Sequence, residues 1–140
     1  MKKFKYAVLG CGFWSKFQVG AWSEIPEVEL SALYNRTRSK AETLAKMFHA
    51  NHIYDNAEEL LENEKPDFID IITDVDTHFK FVEMAAEAGI RNIICQKPMA
   101  PDFATAKKML AVCEKNNRFK YCRKAFCSQG FISIRLSCFR

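Results

Sequence analysis

The sequence predicts an α/β fold in which a parallel sheet is doubly wound, with helices on both faces. Short apolar runs alternate with amphipathic stretches along most of the chain, and the breaks between them are short. This alternation is typical of right-handed βαβ units, whose strands are parallel. Hydrophobic residues make up 49% of the 140 residues and charged residues 27%, a globular composition. Six strands in this rhythm predict the order 3-2-1-4-5-6.

The first two strand–helix units are predicted within residues 4–48. Strands are expected at 4–9 ("FKYAVL") and 28–34 ("VELSALY"), where apolar residues are concentrated. The helix predicted at 13–25 has Phe13, Phe17, Gly20 and Ala21 on one face. The next helix begins near Ser39 and places its apolar residues at helical spacing: Ala41, Leu44, Ala45 and Phe48.

The remaining elements follow the same alternation. Strands are predicted at 52–54, 67–72 and 90–95, and residues 118–122 begin a sixth. A helix at 56–63 starts at Asp55 or Asn56 as its cap, and a helix at 77–89 is closed by Gly89. The last helix, 102–117, is expected to bury Phe103, Ala106, Met109, Leu110 and Cys113.

Charge divides the chain into a domain at residues 1–119 and an atypical basic tail at 120–140. The first part holds 16 Lys and Arg against 17 Asp and Glu, whereas the tail holds five basic residues and no acidic one. The tail has no helical period and no recognisable nucleic-acid-binding module, so we expect no nucleic-acid partner. Its composition is typical of an out-of-frame reading or a truncated gene; a sixth strand with a local connection is the alternative.

Compartment and metal content are also constrained by the sequence. No apolar run approaches the length of a membrane span, and the opening "MKKFKYAVLGCGFW" is too short in its apolar part for a signal peptide. The six cysteines match no zinc spacing and are scattered, as in a reduced compartment. We therefore expect a cytoplasmic protein with no metal site and no membrane partner.

The first candidate site is the turn "VLGCGFWS" between the first strand and its helix. Gly10, Gly12 and Ser15 follow the pattern G-x-G-x-x-G, with serine in the third place. The first glycine permits a tight turn, and the second lets the backbone approach a pyrophosphate at the helix N-terminus. Gly10, Gly12, Phe13 and Trp14 are therefore predicted to bind a dinucleotide; a plain glycine turn is the alternative.

The second candidate site is "YNRTRSK", after the second strand. Asn35 stands where NAD-binding proteins usually carry a carboxylate for the ribose hydroxyls. Its replacement, together with Arg36 and Arg38, suits a 2′-phosphate and hence NADP. Asn35 can also bond a ribose hydroxyl, and arginine can stack on adenine, so NAD or NADP stays open. A solvated helix start is the alternative reading.

The third candidate site is "TDVDTH", after the fourth strand. Thr73, Asp74 and His78 are predicted to face the cofactor crevice, because this strand lies beside the first in the expected order. Asp76 or Thr77 is expected to cap the next helix. His78 either approaches the cofactor or bonds to the backbone of its own turn.

The fourth candidate site is "CQKP", after the fifth strand. Lys97 is predicted to point into the crevice, where it can hold a substrate hydroxyl or exchange a proton with it. Pro98 fixes the backbone that aims the lysine, through a cis bond if one forms. Gln96 and Pro98 are predicted to lie at the cofactor. A surface lysine beside a strand-terminating proline is the alternative.

Taken together, these motifs resemble the N-terminal, Rossmann domain of the Gfo/Idh/MocA oxidoreductases, over about residues 3–119. The resemblance rests on Gly10-x-Gly12, on "TDVDTH" followed by "AAEAG", and above all on "QKP" at 96–98. It implies NAD(P)-dependent dehydrogenation of a sugar or polyol, with Lys97 as the catalytic residue. It further resembles the sugar-dehydrogenase branch of the family.

Two departures from the family are visible in the sequence. The family usually reads Glu-Lys-Pro, so Gln96 removes a negative charge beside Lys97 and favours the neutral amine. The family's second, substrate domain is also expected to be absent, since the tail matches none of it. The resemblance implies that full-length relatives form homo-oligomers through that domain, and leaves the oligomeric state of this chain open.

Three functions remain open from the sequence. The first is an oxidoreductase acting on a hydroxyl carbon of a sugar or polyol. The second is a truncated cofactor-binding module with little or no activity, since no second domain would bury the substrate. The third is an interaction protein that associates through apolar residues of the tail.

Overall fold

The computed structural model of the chain describes residues 3–116, together with the backbone of two strands at 126–128 and 131–134. The strands are β1 (Phe4–Leu9), β2 (Val28–Tyr34), β3 (His52–Tyr54), β4 (Phe68–Ile71), β5 (Ile93–Gln96), β6 (Phe126–Ser128) and β7 (Phe131–Ile134). The helices are α1 (Ser15–Ser23), α2 (Arg38–Phe48), α3 (Ala57–Glu64), α4 (Val75–Glu87) and α5 (Phe103–Asn116).

The sheet confirms the doubly wound α/β prediction for its first five strands. These are all parallel and lie in the order β3-β2-β1-β4-β5. From β1 the chain continues to β2 and β3 on one side, and it then returns to add β4 and β5 on the other side. The crevice of an open α/β sheet therefore lies between β1 and β4. The carboxyl ends of β1, β2, β4 and β5 therefore meet at one edge.

Beyond β5 the sheet differs from the predicted order. The strand beside β5 is β7, which runs antiparallel to it in the register Ile93↔Ile134, and β6 pairs antiparallel with β7. Only two residues separate β6 from β7, and a connection that short joins antiparallel strands. The sixth strand predicted to begin at residues 118–122 falls outside the described residues.

Helices cover both faces of the sheet because alternate strand residues point to opposite sides. Helices α3, α4 and α5 pack on the face that carries Ala7 and Leu9. Helices α1 and α2 pack on the other face, against Tyr6 and Val8. One core lies on each side, and the sheet between them carries the loops that form the candidate site.

The caps of two helices test the sequence predictions. Asn56 caps α3, as one of the two predicted alternatives, by accepting from the Glu58 N–H at 2.7 Å and the Glu59 N–H at 3.3 Å. The prediction that Asp76 or Thr77 caps the helix after β4 is wrong. That helix begins at Val75 with Asp74 as its N-cap, so both residues lie inside its first turn.

Two helix faces described from the sequence differ in part from the structure. Phe13 precedes α1 and Phe17 lies on its surface, and both are exposed to solvent. The buried residues of α1 are Ser15, Gln18 and Val19. The helix is rotated in this way because Gln18 bonds to a carboxylate inside the sheet, described below. In α5, Met109 and Cys113 are buried as predicted, and Ala106 and Leu110 are half-buried. Phe103 is 77% exposed, since it is the first residue of the helix and precedes Met109 by nearly two turns.

Candidate functional site

The glycine turn is shaped by contact between the ends of β1 and β4. Gly10 has φ of +101°, and a Cβ at this position would lie 2.5 Å from the Ile72 carbonyl oxygen and 2.9 Å from Thr73 Cγ2. Only glycine adopts this backbone conformation at so close an approach. Gly10 therefore makes the turn and brings the loop after β1 against the loop after β4.

Gly12 has a different environment. A Cβ built on it meets no atom of the chain within 4 Å, and the residue is exposed. Next to it, the Ser15 hydroxyl is buried and donates to the Gly12 carbonyl oxygen at 2.5 Å, so the small third residue packs the helix start onto the strand. The turn thus leaves open space above Gly12 at the N-terminus of α1.

Asn35 links the glycine turn to the loop after β2. Its Oδ1 accepts from the Cys11 N–H at 2.9 Å, and its Nδ2 donates to the Thr37 carbonyl oxygen at 2.9 Å. Among the described residues the second N–H of Nδ2 has no acceptor, so it is available to a ligand. Asn35 therefore lies at the edge where the sequence predicted it, and its amide holds the two loops together.

The two arginines of this loop differ. Arg38 is paired with Glu42 (Nε–Oε1, 3.1 Å) and Asp55 (Nη1–Oδ2, 2.5 Å), so its charge is already neutralised. Arg36 is exposed, and within residues 3–116 its guanidinium makes no ion pair. Of the two, Arg36 is the cation available to a ligand.

The loop after β4 is joined to the loop after β5 by His78. The imidazole is 1% exposed: its Nε2 lies 3.0 Å from the Thr73 carbonyl oxygen, and its Nδ1 lies 3.1 Å and 3.2 Å from those of Pro98 and Met99. Both nitrogens thus face backbone acceptors. These contacts fit the alternative reading in which His78 bonds to the backbone, and they extend it to the next loop.

Thr73 and Asp74 lie at the rim beside the glycine turn. Thr73 is half-buried, and its hydroxyl accepts from Thr77 Oγ1 at 2.8 Å, while exposed Asp74 starts α4. The Thr73 methyl group lies against Gly10, where an added Cβ would be 2.9 Å from Thr73 Cγ2. The predicted contact of Thr73 and Asp74 with a cofactor stays a prediction.

Lys97 lies on the same rim and is exposed. Its Nζ lies 5.8 Å from the centroid of the Trp14 ring, which belongs to the glycine turn, and no carboxylate within residues 3–116 forms an ion pair with it. The Lys97–Pro98 peptide bond is cis, as the sequence allowed. The turn and the lysine therefore face a common edge.

Aromatic side chains border this edge. Phe13, Trp14 and Phe17 are each more than half exposed, with ring centroids 5.4–6.0 Å apart. The Lys16 ammonium lies 4.5 Å from the Phe13 centroid and 4.9 Å from that of Phe17. Because each of these rings is more than half exposed, its apolar face is accessible and can stack on a planar ligand.

Sequence reasoning missed a buried polar network beneath the rim. The Asp70 carboxylate is 0% exposed in β4 and accepts from Gln18 Nε2 at 2.7 Å (both oxygens) and from Trp22 Nε1 at 2.8 Å. Gln96 Nε2 donates to Gln18 Oε1 at 3.0 Å, and Gln96 Oε1 accepts from the Lys97 N–H at 2.8 Å. The signal in the sequence was a lone acid inside the apolar run "FIDII".

Burial raises the pKa of Asp70 to about 6, although its hydrogen bonds from Trp22 and Gln18 act in the opposite direction. The pKa of the nearby Tyr6 hydroxyl is raised as well, first by burial and then by the Asp70 charge. A carboxylate in the core without a cation is costly. Its retention beneath the rim marks it as a candidate functional group.

Two grooves lie on the surface. A groove of about 440 Å³ runs beside Lys97, between α1 and β5, and is lined by Trp14, Phe17, Gln18, Ala21, Trp22, Ile25, Ile94 and Gln96. A larger one, of about 1180 Å³, lies between α3 and α4 at the amino ends of β4 and β5. The smaller groove is the relevant one, because its end at Trp14 and Gln96 lies at the carboxyl ends of the strands, where an open α/β sheet binds ligands.

Membrane-spanning helices and metal-binding clusters are both absent from the described residues. No helix there is long and apolar enough to cross a membrane. No three His, Cys, Asp or Glu side chains there lie close enough together to hold a metal ion.

The arrangement agrees with comparisons to known proteins. Residues 4–122 match the Gfo/Idh/MocA family, described as an oxidoreductase family with an NAD-binding Rossmann fold. Two D-apiose dehydrogenases are among the similar curated proteins: one from Paraburkholderia graminis, 38% identical over 82% of this chain and 30% of its own length, and one from Rhizobium rhizogenes, 34% identical over 81% and 33%. The chain thus spans about a third of these relatives.

Solved structures agree on the fold. An oxidoreductase from Agrobacterium radiobacter, in complex with NAD+, L-tartaric acid and magnesium, is 33% identical with a TM-score of 0.78, over 82% of this chain and 33% of that one. Myo-inositol 2-dehydrogenase from Lactobacillus plantarum, 23% identical with a TM-score of 0.75 over 82% and 34%, shares the fold. The chain belongs to the Gfo/Idh/MocA family of oxidoreductases and carries its NAD-binding Rossmann domain.

Proposed function

We propose that this chain is the cofactor-binding part of an NAD(P)-dependent oxidoreductase that acts on a hydroxyl carbon of a sugar or polyol. The observation that supports it most is the common edge: an exposed Lys97 ammonium, without a carboxylate partner in the described residues, lies 5.8 Å from the Trp14 ring of the glycine turn. A dinucleotide bound at the glycine turn would place its nicotinamide ring close to Lys97.

The residues fit the cofactor. Gly12 has open space above it at the N-terminus of α1, where backbone N–H groups favour a pyrophosphate. Asn35, with one N–H left over, would bond a ribose hydroxyl, and the exposed aromatic rings would border the planar end. When bound, the nicotinamide supplies hydride transfer.

Lys97, as the neutral amine, would accept a hydrogen bond from the substrate hydroxyl and take its proton during oxidation. Lys97 has no ion-pair partner in the described residues, so its side-chain nitrogen is available to a ligand. Gln96 and Pro98 would aim it, through the bond from the Lys97 N–H to Gln96 and the fixed backbone dihedral of proline.

Both NAD and NADP are proposed as cofactors. Asn35 carries no negative charge that would repel a 2′-phosphate, and Arg36 is available to pair with it. Arg38 is already bound to Asp55 and Glu42, so we assign it to holding α2 rather than to the cofactor.

The substrate class comes from the relatives. D-apiose and myo-inositol, named for two dehydrogenases and one structural neighbour, are both polyhydroxylated. We propose the same class here, with the Lys97 rim and the groove beside it as its place.

A second candidate is a cofactor-binding module with little or no turnover by itself. Lys97 and the adjoining aromatic rings are exposed, and the chain spans about a third of its relatives. Exclusion of water contributes much of the rate in such enzymes, so this exposure favours weak activity. We further propose a cytoplasmic protein without nucleic-acid or membrane partners, in which Cys11 and Cys95 stay reduced as thiols.

The proposal is tested by titration calorimetry with NAD and with NADP. Saturable binding is expected, and Gly12→Val should abolish it while leaving the melting temperature nearly unchanged, because its side chain fills only the open space. Gly20→Ala is the matched control, since a Cβ there meets only the Phe48 ring at 3.7 Å, away from the rim. Equal binding by the Gly12 variant and the unaltered protein contradicts the site.

Turnover is tested with D-apiose and myo-inositol, followed by the absorbance of the reduced nicotinamide. Slow oxidation that Lys97→Ala abolishes supports the enzyme; binding without oxidation supports the module. In either case Lys97→Ala should leave cofactor affinity within about threefold, since an exposed lysine contributes little to it.

A further inference from the structure

A chain of hydrogen bonds runs from the core to the backbone of Lys97. It starts at the Asp70 carboxylate, which accepts from Gln18 Nε2 at 2.7 Å; Gln18 Oε1 accepts from Gln96 Nε2 at 3.0 Å, and Gln96 Oε1 accepts from the Lys97 N–H at 2.8 Å. Asp70 is fully buried, so it cannot itself meet a substrate on the rim.

The direction of this chain is set at its buried end. An ionised carboxylate can only accept hydrogen bonds, so Gln18 must turn its nitrogen toward Asp70 and its oxygen toward Gln96. Gln96 must then offer its own nitrogen, which leaves its oxygen for Lys97. Trp22 also donates to Asp70, and because its indole N–H can only donate, the group at position 70 must accept this bond as well.

We propose that Asp70 is a positioning residue for Lys97, and that its negative charge, relayed by two glutamine amides, holds the Gln96 oxygen on the Lys97 N–H. The inference rests on the proposed role of Lys97 in the reaction. Asp70 touches neither substrate nor cofactor in this proposal. It decides which way both amides point, and thereby whether the backbone that carries the lysine has an acceptor.

The surroundings of Asp70 allow its charge to change near neutral pH. Tyr6 from β1 lies near it on the same face of the sheet, and Gln18 and Trp22 face it from α1. Cys95 from β5 points to the opposite face, and none of these residues brings a cation. Burial raises the pKa of Cys95 to about 12, so its thiol stays neutral. The pKa of Asp70 is raised to about 6 by burial.

Protonation of Asp70 would release the direction of the chain. A protonated carboxyl has an O–H that can donate to Gln18 Oε1, so that Gln18, and then Gln96, can turn over. The Lys97 N–H would lose its acceptor. A change at the buried carboxyl should therefore be visible at the Lys97 amide, although the two groups make no contact.

The first test is an NMR titration of the free protein from roughly pH 4 to 8. The Trp22 indole N–H reports on Asp70 directly. The Lys97 amide is expected to shift with the same midpoint, near pH 6, and Asp70→Asn should remove both transitions. A Trp22 signal that titrates while the Lys97 amide does not, or two separate midpoints, overturns the proposal.

The second test uses substitutions to reverse the direction of the hydrogen bonds between position 70 and Lys97. Gln96→Glu places an acceptor against Gln18 Oε1 and should lower the melting temperature. In Asp70→Asn/Gln96→Glu, the introduced asparagine can donate to Gln18 Oε1 and accept from Trp22, Gln18 Nε2 can donate to the introduced glutamate, and that carboxylate can accept from the Lys97 N–H. Every group is paired again, with opposite direction.

The double variant should therefore recover most of the melting temperature lost in Gln96→Glu, together with the Lys97 amide signal. Asp67→Asn/Gln96→Glu is the control, because Asp67 is an exposed acid near the start of the same strand and is bonded to the Lys5 N–H. Additive losses in the double variant, or equal recovery in the control, refute the directional chain. All readouts use the free protein, so failure to bind NAD(P) would count against the proposed function alone.

Discussion

Gly10 carries two constraints that a side chain cannot meet together. Its φ of +101° is in the left-handed region, and an added Cβ would lie 2.5 Å from the Ile72 carbonyl oxygen, a backbone atom that cannot turn away. Gly10→Ala is expected to lower the free energy of unfolding by about 3 kcal/mol, measured by urea denaturation.

Gly20→Ala is the contrasting change for that measurement. Its Cβ makes an ordinary contact with the Phe48 ring at 3.7 Å, inside α1. Alanine is favoured over glycine in a helix by about 0.5–1 kcal/mol, so stability should rise. A similar loss at both glycines would show that the Ile72 contact is not what constrains Gly10.

Asp70 predicts how stability depends on pH. Its folded pKa of about 6 lies above the ordinary 3.8, so the unfolded chain releases this proton first. The stability that the protonated carboxyl contributes is full below pH 3.8 and is lost as the pH rises through about 6. The loss is about 3 kcal/mol by linkage.

The measurement compares urea unfolding of the protein and of Asp70→Asn across this range. Because all other groups titrate alike in both, the difference in unfolding free energy should change between roughly pH 4 and 6 and be level above. A flat difference throughout would contradict a raised pKa. A charge that costs stability at neutral pH is consistent with selection for its effect on the rim.

At the level of elements, reasoning from the sequence predicted strands correctly but did not predict the buried face of helix α1. The strands at 28–34 and 52–54 were predicted with their observed bounds, because a run of apolar residues between breaks is a local signal. The buried face of α1 was not. It depends on a bond from Gln18 to Asp70, 52 residues away, and no local pattern reports such a partner.

Helix α3 depends on its cap for a further prediction. Asn56 accepts from two N–H groups of the first turn, which have no partner within the helix. Asn56→Ala should cost about 1 kcal/mol in urea unfolding. Asn51→Ala, which removes only an exposed contact of 3.4 Å to Glu29, should change stability by less than about 0.5 kcal/mol. Equal effects would mean that the cap contributes nothing.

At the scale of the whole molecule, the position of the site was predictable and its internal connections were not. Parallel strands bring the loops after β1, β2, β4 and β5 to one edge, so the motifs in those loops were expected together. The contacts that join them, through Asn35, His78 and Gln96, depend on side-chain geometry. These contacts join the loops of the rim into one connected unit.

A connected rim predicts that cofactor binding stabilises the whole fold. At a concentration about 100 times Kd, a ligand that binds only the folded state adds about 2.7 kcal/mol. For a chain of this size that amounts to a rise in Tm of about 5–10 °C, measured by calorimetry with NAD or NADP. Gly12→Val should lose this rise and Gly20→Ala should keep it.

Arg36→Ala should reduce the rise in Tm with NADP and leave the rise with NAD unchanged, because only NADP carries the 2′-phosphate that Arg36 would pair with. An equal reduction with both cofactors would assign Arg36 to the adenine or the pyrophosphate instead.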